Sequence, residues 1–208
     1  MTGKQWTIFC IIGSAIAVAG FAISARGSKA PESEPTPAFH KVLLDSAAEY
    51  AKYQRIEFVP RRAPTDCRAD IAGQPGQSLF ASRSGHEDTH GQKLYYLFAK
   101  DPKAYLAGKP NPVGQALVKE SFKMVEHKDG DKQPAVFHNG KSYQTGDKYA
   151  LFIMDKLDQA TQDTDNGWIY GTVTADGKTV TPAGRVESCM KCHEKTTNDR
   201  LFGLPAKK

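Results

Sequence analysis

The segment Cys189-Met190-Lys191-Cys192-His193 constrains this chain more than any other. Two thiols stand three positions apart, and a histidine directly follows the second. This is the spacing of c-type haem attachment. Each cysteine sulfur adds to one haem vinyl group, and the short turn between them holds both sulfurs along one porphyrin edge. The next residue projects toward the iron, for which imidazole is a good axial ligand. Cys189 and Cys192 are therefore read as the thioether anchors of one covalent haem c, and His193 as the iron ligand. A zinc site would need two more ligands at matching spacing, and the four cysteines include no second close pair. A disulfide redox pair would sit near the start of a helix in a βαβ setting, which the flanking pattern lacks.

Where such a haem can be attached depends on export, and the N-terminus speaks to that. Residues 6–25, WTIFCIIGSAIAVAGFAISA, carry no charge and lie between Lys4 and Arg26. They read as an export signal. The stretch is just long enough to span a bilayer as one helix, and its last residues are small enough for cleavage. Cleaved signal peptide and retained membrane anchor both stand. Either places the bulk of the chain in the periplasm or otherwise outside the cytoplasm, where c-type haem is normally attached. Cys10 follows Phe9, which does not suit a lipoprotein cleavage site. Residues 26–37, RGSKAPESEPTP, are proline-rich and polar and read as a flexible linker. Residues 38–208 remain as the haem-binding domain. Cys67 has no evident partner and is assigned no function.

The net charge of +5 is scattered, with no basic stripe interleaved with aromatics, so nucleic acid is excluded as a partner. Phe39, Val42, Leu43, Ala47, Tyr50 and Ala51 recur at helical spacing and predict a helix over about 38–54. Residues 60–90 are rich in Gly, Pro, Ser, Arg and Asp and read as a long irregular segment. From Lys93 onward the texture is strands and turns. KLYYLFAK reads as a strand, DPKAYLAGKPNPVG as a helical turn and loop, and QALVKESFKMVE as an alternating strand. AVFHNGKSY carries an Asn-Gly hairpin signal. KYALFIMDKL and GWIYGTVTADGKTV supply two more strands, the second running into an Asp-Gly turn. Small electron-transfer cytochromes place the haem motif near the start and a methionine ligand downstream. Here 15 residues follow His193 and none is methionine. Four-helix-bundle cytochromes place the motif late, but their preceding sequence is helical throughout.

Four blocks, GQALVKESF, GDKYALFIMDK, DNGWIYGTV with DGK, and CMKCHEKTTNDRLF, resemble the cytochrome P-460 family and its relatives, the cytochromes c′-beta. The likeness is strongest over residues 93–204. It implies an α+β fold, a mostly antiparallel β-sheet with a few helices, with the CxxCH haem site at the C-terminal end. It implies a homodimer, His193 as proximal ligand and an open distal iron position. P-460 members oxidise hydroxylamine, pass electrons to a partner cytochrome, and join a lysine covalently to the porphyrin. The c′-beta members lack that bond and hold nitric oxide or similar small gases. The cross-linking position matches Lys119 in LVKES. P-460 enzymes also place an arginine in the strand before the DP turn. Here that strand is KLYYLF, and Tyr95, Tyr96 or Phe98 would line the pocket instead.

Taken alone, Lys119 alternates onto one strand face with Leu117 and Ser121 and would pass for a solvent-facing lysine. Glu120 interrupts the apolar face of Ala116, Val118, Phe122 and Met124, either at a rim or near the haem. His40, His86, His90, His127 and His138 read as surface or loop histidines, and Met124 and Met154 as core. Three functions stand: a haem oxidoreductase acting on hydroxylamine or a related nitrogen oxide, a non-catalytic nitric oxide or gas binder, and an electron-transfer cytochrome.

Overall fold

Period-two alternation through the second half of the chain folds as strands. The computed structural model describes residues 37–63, 66–70, 78–83, 92–107, 110–196 and 198–202. The apolar run at 6–25, the linker before Pro37, and His86 and His90 lie outside the described residues. No described helix is long and apolar enough to cross a membrane.

Helix α1 (Pro37–Glu49) leads into a 3-10 turn (Tyr50–Lys52). The expected helix over 38–54 therefore tightens in its last turn and stops short. Strands β1 (Gln54–Arg55) and β2 (Arg61–Arg62) are followed by β3 (Asp66–Asp70) and β4 (Ser78–Arg83). The segment expected to be irregular thus carries strands, three of them between residues 60 and 90. Arg, Asp and Ser are poor strand formers on propensity alone, but pairing overrides that preference. Then come β5 (Lys93–Ala99), α2 (Pro102–Leu106), β6 (Ala116–Glu126), β7 (Val136–His138), β8 (Lys141–Lys156), β9 (Trp168–Thr174), β10 (Val180–Gly184) and α3 (Glu187–His193). The main sheet runs β1-β5-β6-β8-β9-β10, with β2 also on β5 and β7 also on β8. Strands β3 and β4 form a separate pair. The strand pairs are antiparallel. The expected class, α+β with a mostly antiparallel sheet and a few helices, is the one observed.

Turn chemistry sets the register. Asn139 and Gly140 both have positive φ, 47° and 76°, as the β7–β8 hairpin requires. Helix α2 starts where Asp101 accepts a hydrogen bond from the Ala104 N–H at 2.9 Å, with Pro102 in the first turn.

The sheet has two unlike faces. Phe39, Leu43 and Ala47 recur along one side of α1 and bury against Val118, Leu151, Ile153, Ile169, Val173 and Ala183. Gly171 lies under Leu43; a Cβ there would stand 2.3 Å from Leu43 Cδ1, so the helix approaches β9 only because that residue is glycine. The other face carries Ala99, Leu117, Trp168 and Tyr170, covered by Tyr105, Val186 and Leu201, with Cys189 and Met190 packed alongside. The helix bearing the CxxCH segment therefore belongs to the face opposite α1.

Candidate functional site

Helix α3 is short, and three of its residues fall on one side. Cys192 and His193 follow Cys189 at i+3 and i+4, the spacings that bring helical side chains together. Cys189 is half-buried and outside any disulfide. Cys192 is disulfide-bonded, and a sulfur in that state must be reduced before it can add to a vinyl group.

His193 is held on three sides. Its Nδ1 lies 2.5 Å from the carbonyl oxygen of Arg200. A carbonyl can only accept, so Nδ1 carries the proton and Nε2 keeps its lone pair. The Tyr170 ring lies 5.3 Å away by centroids and the Phe202 ring 5.1 Å away. Burial pushes the His193 pKa down to about 4, against the raising effect of the Arg200 carbonyl; the nearby Lys119 charge lowers it further. The ring is neutral at physiological pH, as a metal-ligating imidazole must be.

Strand β6 brings Lys119 to the same face. It pairs with Leu97 on β5 and with Phe152 on β8. Its Nζ sits 4.4 Å from the Tyr95 ring centroid and 5.7 Å from that of Phe152. Aromatic faces attract an ammonium, which is how this cation is accommodated away from water. Burial nevertheless lowers its pKa to about 8, and the Cys189 sulfur opposes that. Lys119 thus stands within electrostatic reach of both Cys189 and His193.

Period two decides between alternatives the sequence left open. Of Tyr95, Tyr96 and Phe98, only Tyr95 shares the face of Lys119. Tyr96 pairs with Glu120, and Phe98 with Val118, so both turn toward α1. Phe98 meets Tyr50 edge-on at 5.3 Å. Glu120 faces the same way and accepts the Tyr50 O–H at 2.6 Å, with Lys148 3.4 Å off. It is a rim residue of the α1 face. The sequence also hid Arg61. Strand β5 lacks an arginine, but β2 sets Arg61 opposite Tyr95, where it hydrogen-bonds the phenol and offsets part of the burial that raises that pKa. No local pattern in RRAP announces this pairing.

Leu97, Phe152 and Met154 are half-buried on this face, and the fully buried Ser121 hydroxyl has no hydrogen-bond partner. Partly exposed apolar side chains around an orphaned polar atom, opposite two cysteines and a neutral histidine, fit a large flat group with apolar faces. Among the described residues no three His, Cys, Asp or Glu side chains gather as a metal site. His40, on α1, and His127 and His138, beside the β7–β8 hairpin, lie on other elements than this one. His127 Nε2 is 3.2 Å from the Gln133 carbonyl oxygen.

The DNGW segment, read from the sequence only as part of a strand block, supports the histidine. Asp165-Asn166-Gly167-Trp168 closes a tight turn, with φ of 54° and 84° at the middle residues and hydrogen bonds of 2.8 and 3.0 Å between Asp165 and Trp168. Gly167 could not be larger, since a Cβ would stand 2.8 Å from the Leu157 carbonyl oxygen. Asp165 is thereby aimed at Arg200, whose Nε lies 2.9 Å from each carboxylate oxygen. After the haem motif, Asp199 and Arg200 both take left-handed backbone, φ 49° and 70°. Each such residue costs on the order of 1–2 kcal/mol, so the surrounding contacts must hold them there. Asp-Asn-Gly was the available signal.

The family model described as Cytochrome P460 matches residues 77–202, more than half of the chain. No curated protein matches the chain.

Proposed function

Because the chain belongs to the cytochrome P460 family, and is on that ground a haem cytochrome of the c type, we propose that it binds one haem covalently through Cys189 and Cys192, with His193 on the iron, and oxidises hydroxylamine or a related nitrogen oxide. The observation that carries the reading is the apposition of Lys119 to Cys189 and His193 on one sheet face. When bound, the haem supplies an iron with an open position for a small nitrogenous ligand and an acceptor for its electrons.

The chain's own residues do the rest. His193 stays neutral and presents Nε2. Leu97, Phe152 and Met154 exclude water from the face. Tyr95, with Arg61 on its hydroxyl, offers a polar group on the face of Lys119. Lys119, with its pKa near 8, is in part a neutral amine at mildly alkaline pH. Joining its nitrogen to a porphyrin carbon would replace one N–H and one C–H bond by a C–N bond and release two protons and two electrons, which a two-electron oxidant such as a peroxide would have to accept. A redox partner cytochrome would remove the electrons, and a homodimer outside the cytoplasm, anchored or released at residues 6–25, is the working form.

The hold of Tyr95 and Phe152 on the ammonium favours a second reading. A lysine kept as a cation between rings does not react, and the protein would then bind nitric oxide or another small gas without turnover. Peptide mapping by mass spectrometry separates the two. A porphyrin-linked Lys119 peptide together with hydroxylamine-dependent acceptor reduction is expected. An unmodified Lys119 peptide and no turnover would remove the enzyme reading.

A further inference from the structure

We infer that the Asp165–Arg200 ion pair positions the axial imidazole, using the backbone of Arg200 as its lever. This rests on the proposed role of His193 as iron ligand. The Arg200 carbonyl accepts from Nδ1 of His193 at 2.5 Å. That carbonyl points at the ring because Arg200 is left-handed, φ 70°, directly after a left-handed Asp199, φ 49°. A non-glycine residue does not hold that backbone unaided. Here each is tied down by its own side chain. Arg200 grips Asp165 with Nε and a terminal nitrogen at 2.8–2.9 Å, and the Asp165 side chain is only 7% exposed. Asp199 accepts from the Asn111 N–H at 2.7 Å and from Lys156 Nζ at 2.9 Å, with both charged side chains almost wholly buried.

Asp165 acts on the imidazole by two routes. Through Arg200 it fixes the hydrogen-bond acceptor. Through Oδ2, which accepts the Tyr170 hydroxyl at 2.8 Å, it fixes the ring packed against His193. A hydrogen bond from the distal nitrogen of a metal-bound histidine raises its basicity as a ligand. The ion pair thus strengthens the iron–histidine bond without touching the iron. Arg200 and Asp165 are positioning residues, not catalytic ones.

The test uses full-length holoprotein carrying Arg200→Ala, Arg200→Gly, Arg200→Lys or Asp165→Asn. Arg200→Ala keeps the carbonyl but loses the grip, and alanine resists left-handed backbone. Its midpoint potential should rise, and the five-coordinate share of its ferrous nitrosyl spectrum should at least double. Arg200→Gly tolerates that backbone and should fall closer to wild type, as should Arg200→Lys. Asp165→Asn should shift in the same direction as Arg200→Ala, and it covers the case in which Arg200→Ala does not fold. Wild-type potential and nitrosyl spectra across the folded variants would overturn the inference. Nitrogen-15 chemical shifts of His193 in chain prepared without haem read the clamp independently: Nδ1 should be protonated in wild type and lose that preference in Asp165→Asn. An unchanged tautomer would count against the clamp, whereas a wild-type chain that never takes up haem would count against the ligand role alone.

Discussion

Lys119 and Glu120 are chain neighbours that serve opposite faces of one sheet. Lys119 lies over Tyr95 on the face that carries α3, while Glu120 accepts the Tyr50 hydroxyl at 2.6 Å under α1. Their substitutions should therefore separate cleanly. Lys119→Leu should abolish turnover and any red-shifted Soret band, yet leave the denaturation midpoint unchanged or raised, because an apolar group replaces a half-buried cation among aromatic rings. Glu120→Gln should leave the haem spectrum alone and cost about 1 kcal/mol or less, because the amide oxygen still accepts the Tyr50 O–H and only the attraction to Lys148 is lost. Visible spectra and urea melts read both.

Asp155 gives a pH dependence of known sign. Its side chain is buried, Oδ1 accepts from Ser46 at 2.8 Å, and Oδ2 has no partner. Burial raises its pKa from 3.8 to about 7; Ser46 and Lys100 lower it, and Asp45 raises it further. The folded chain thus binds a proton that the unfolded chain releases above pH 4. That contribution is fully present below about pH 4 and lost as pH rises through about 7, with a slope of at most about 1.4 kcal/mol per pH unit. Asp155→Asn should flatten stability between pH 5 and 8, measured by urea midpoints at each pH. The same slope in both proteins would show that the carboxyl is ionised throughout.

Gly171→Ala should destabilise by about 1–3 kcal/mol, since the added methyl meets Leu43 in a filled core. Leu43→Ala on that background should recover part of the loss, a coupling that a double-mutant cycle reads directly.

Met154 lies on the sheet face that carries α3, half-buried beside Leu117 and Tyr170. If it packs rather than ligates, Met154→Leu keeps the spectrum, and the ferrous protein binds carbon monoxide and nitric oxide readily. A low-spin spectrum that ignores both gases and changes in Met154→Leu would instead favour an electron-transfer cytochrome.

Much of this was legible in the sequence, for local reasons. The β7–β8 hairpin was announced by Asn139-Gly140, and β5, β6, β8 and β9 by aromatic and β-branched alternation. Strands β2, β3 and β4 were not legible: β2 pairs only with the distant β5, and β3 and β4, which pair with each other, are too polar to show alternation. The sidedness of Tyr96 and Phe98 was available from period two but needed the register of Lys119 against Leu97 to fix it. Arg61 reaches Tyr95 across strands 34 positions apart in the chain. The support of His193 was harder still: its acceptor is a backbone carbonyl, which no side-chain pattern encodes, and its anchor Asp165 lies 28 positions before the histidine.

The most direct measurement is the intact mass and acid–acetone partition of full-length protein matured with a thiol reductant present, since Cys192 must be reduced first. The haem should stay with the polypeptide and add to its mass, and Cys189→Ala with Cys192→Ala should lose it. Haem passing into the organic phase from the wild-type protein, or remaining bound in the double variant, would contradict covalent attachment at these two cysteines.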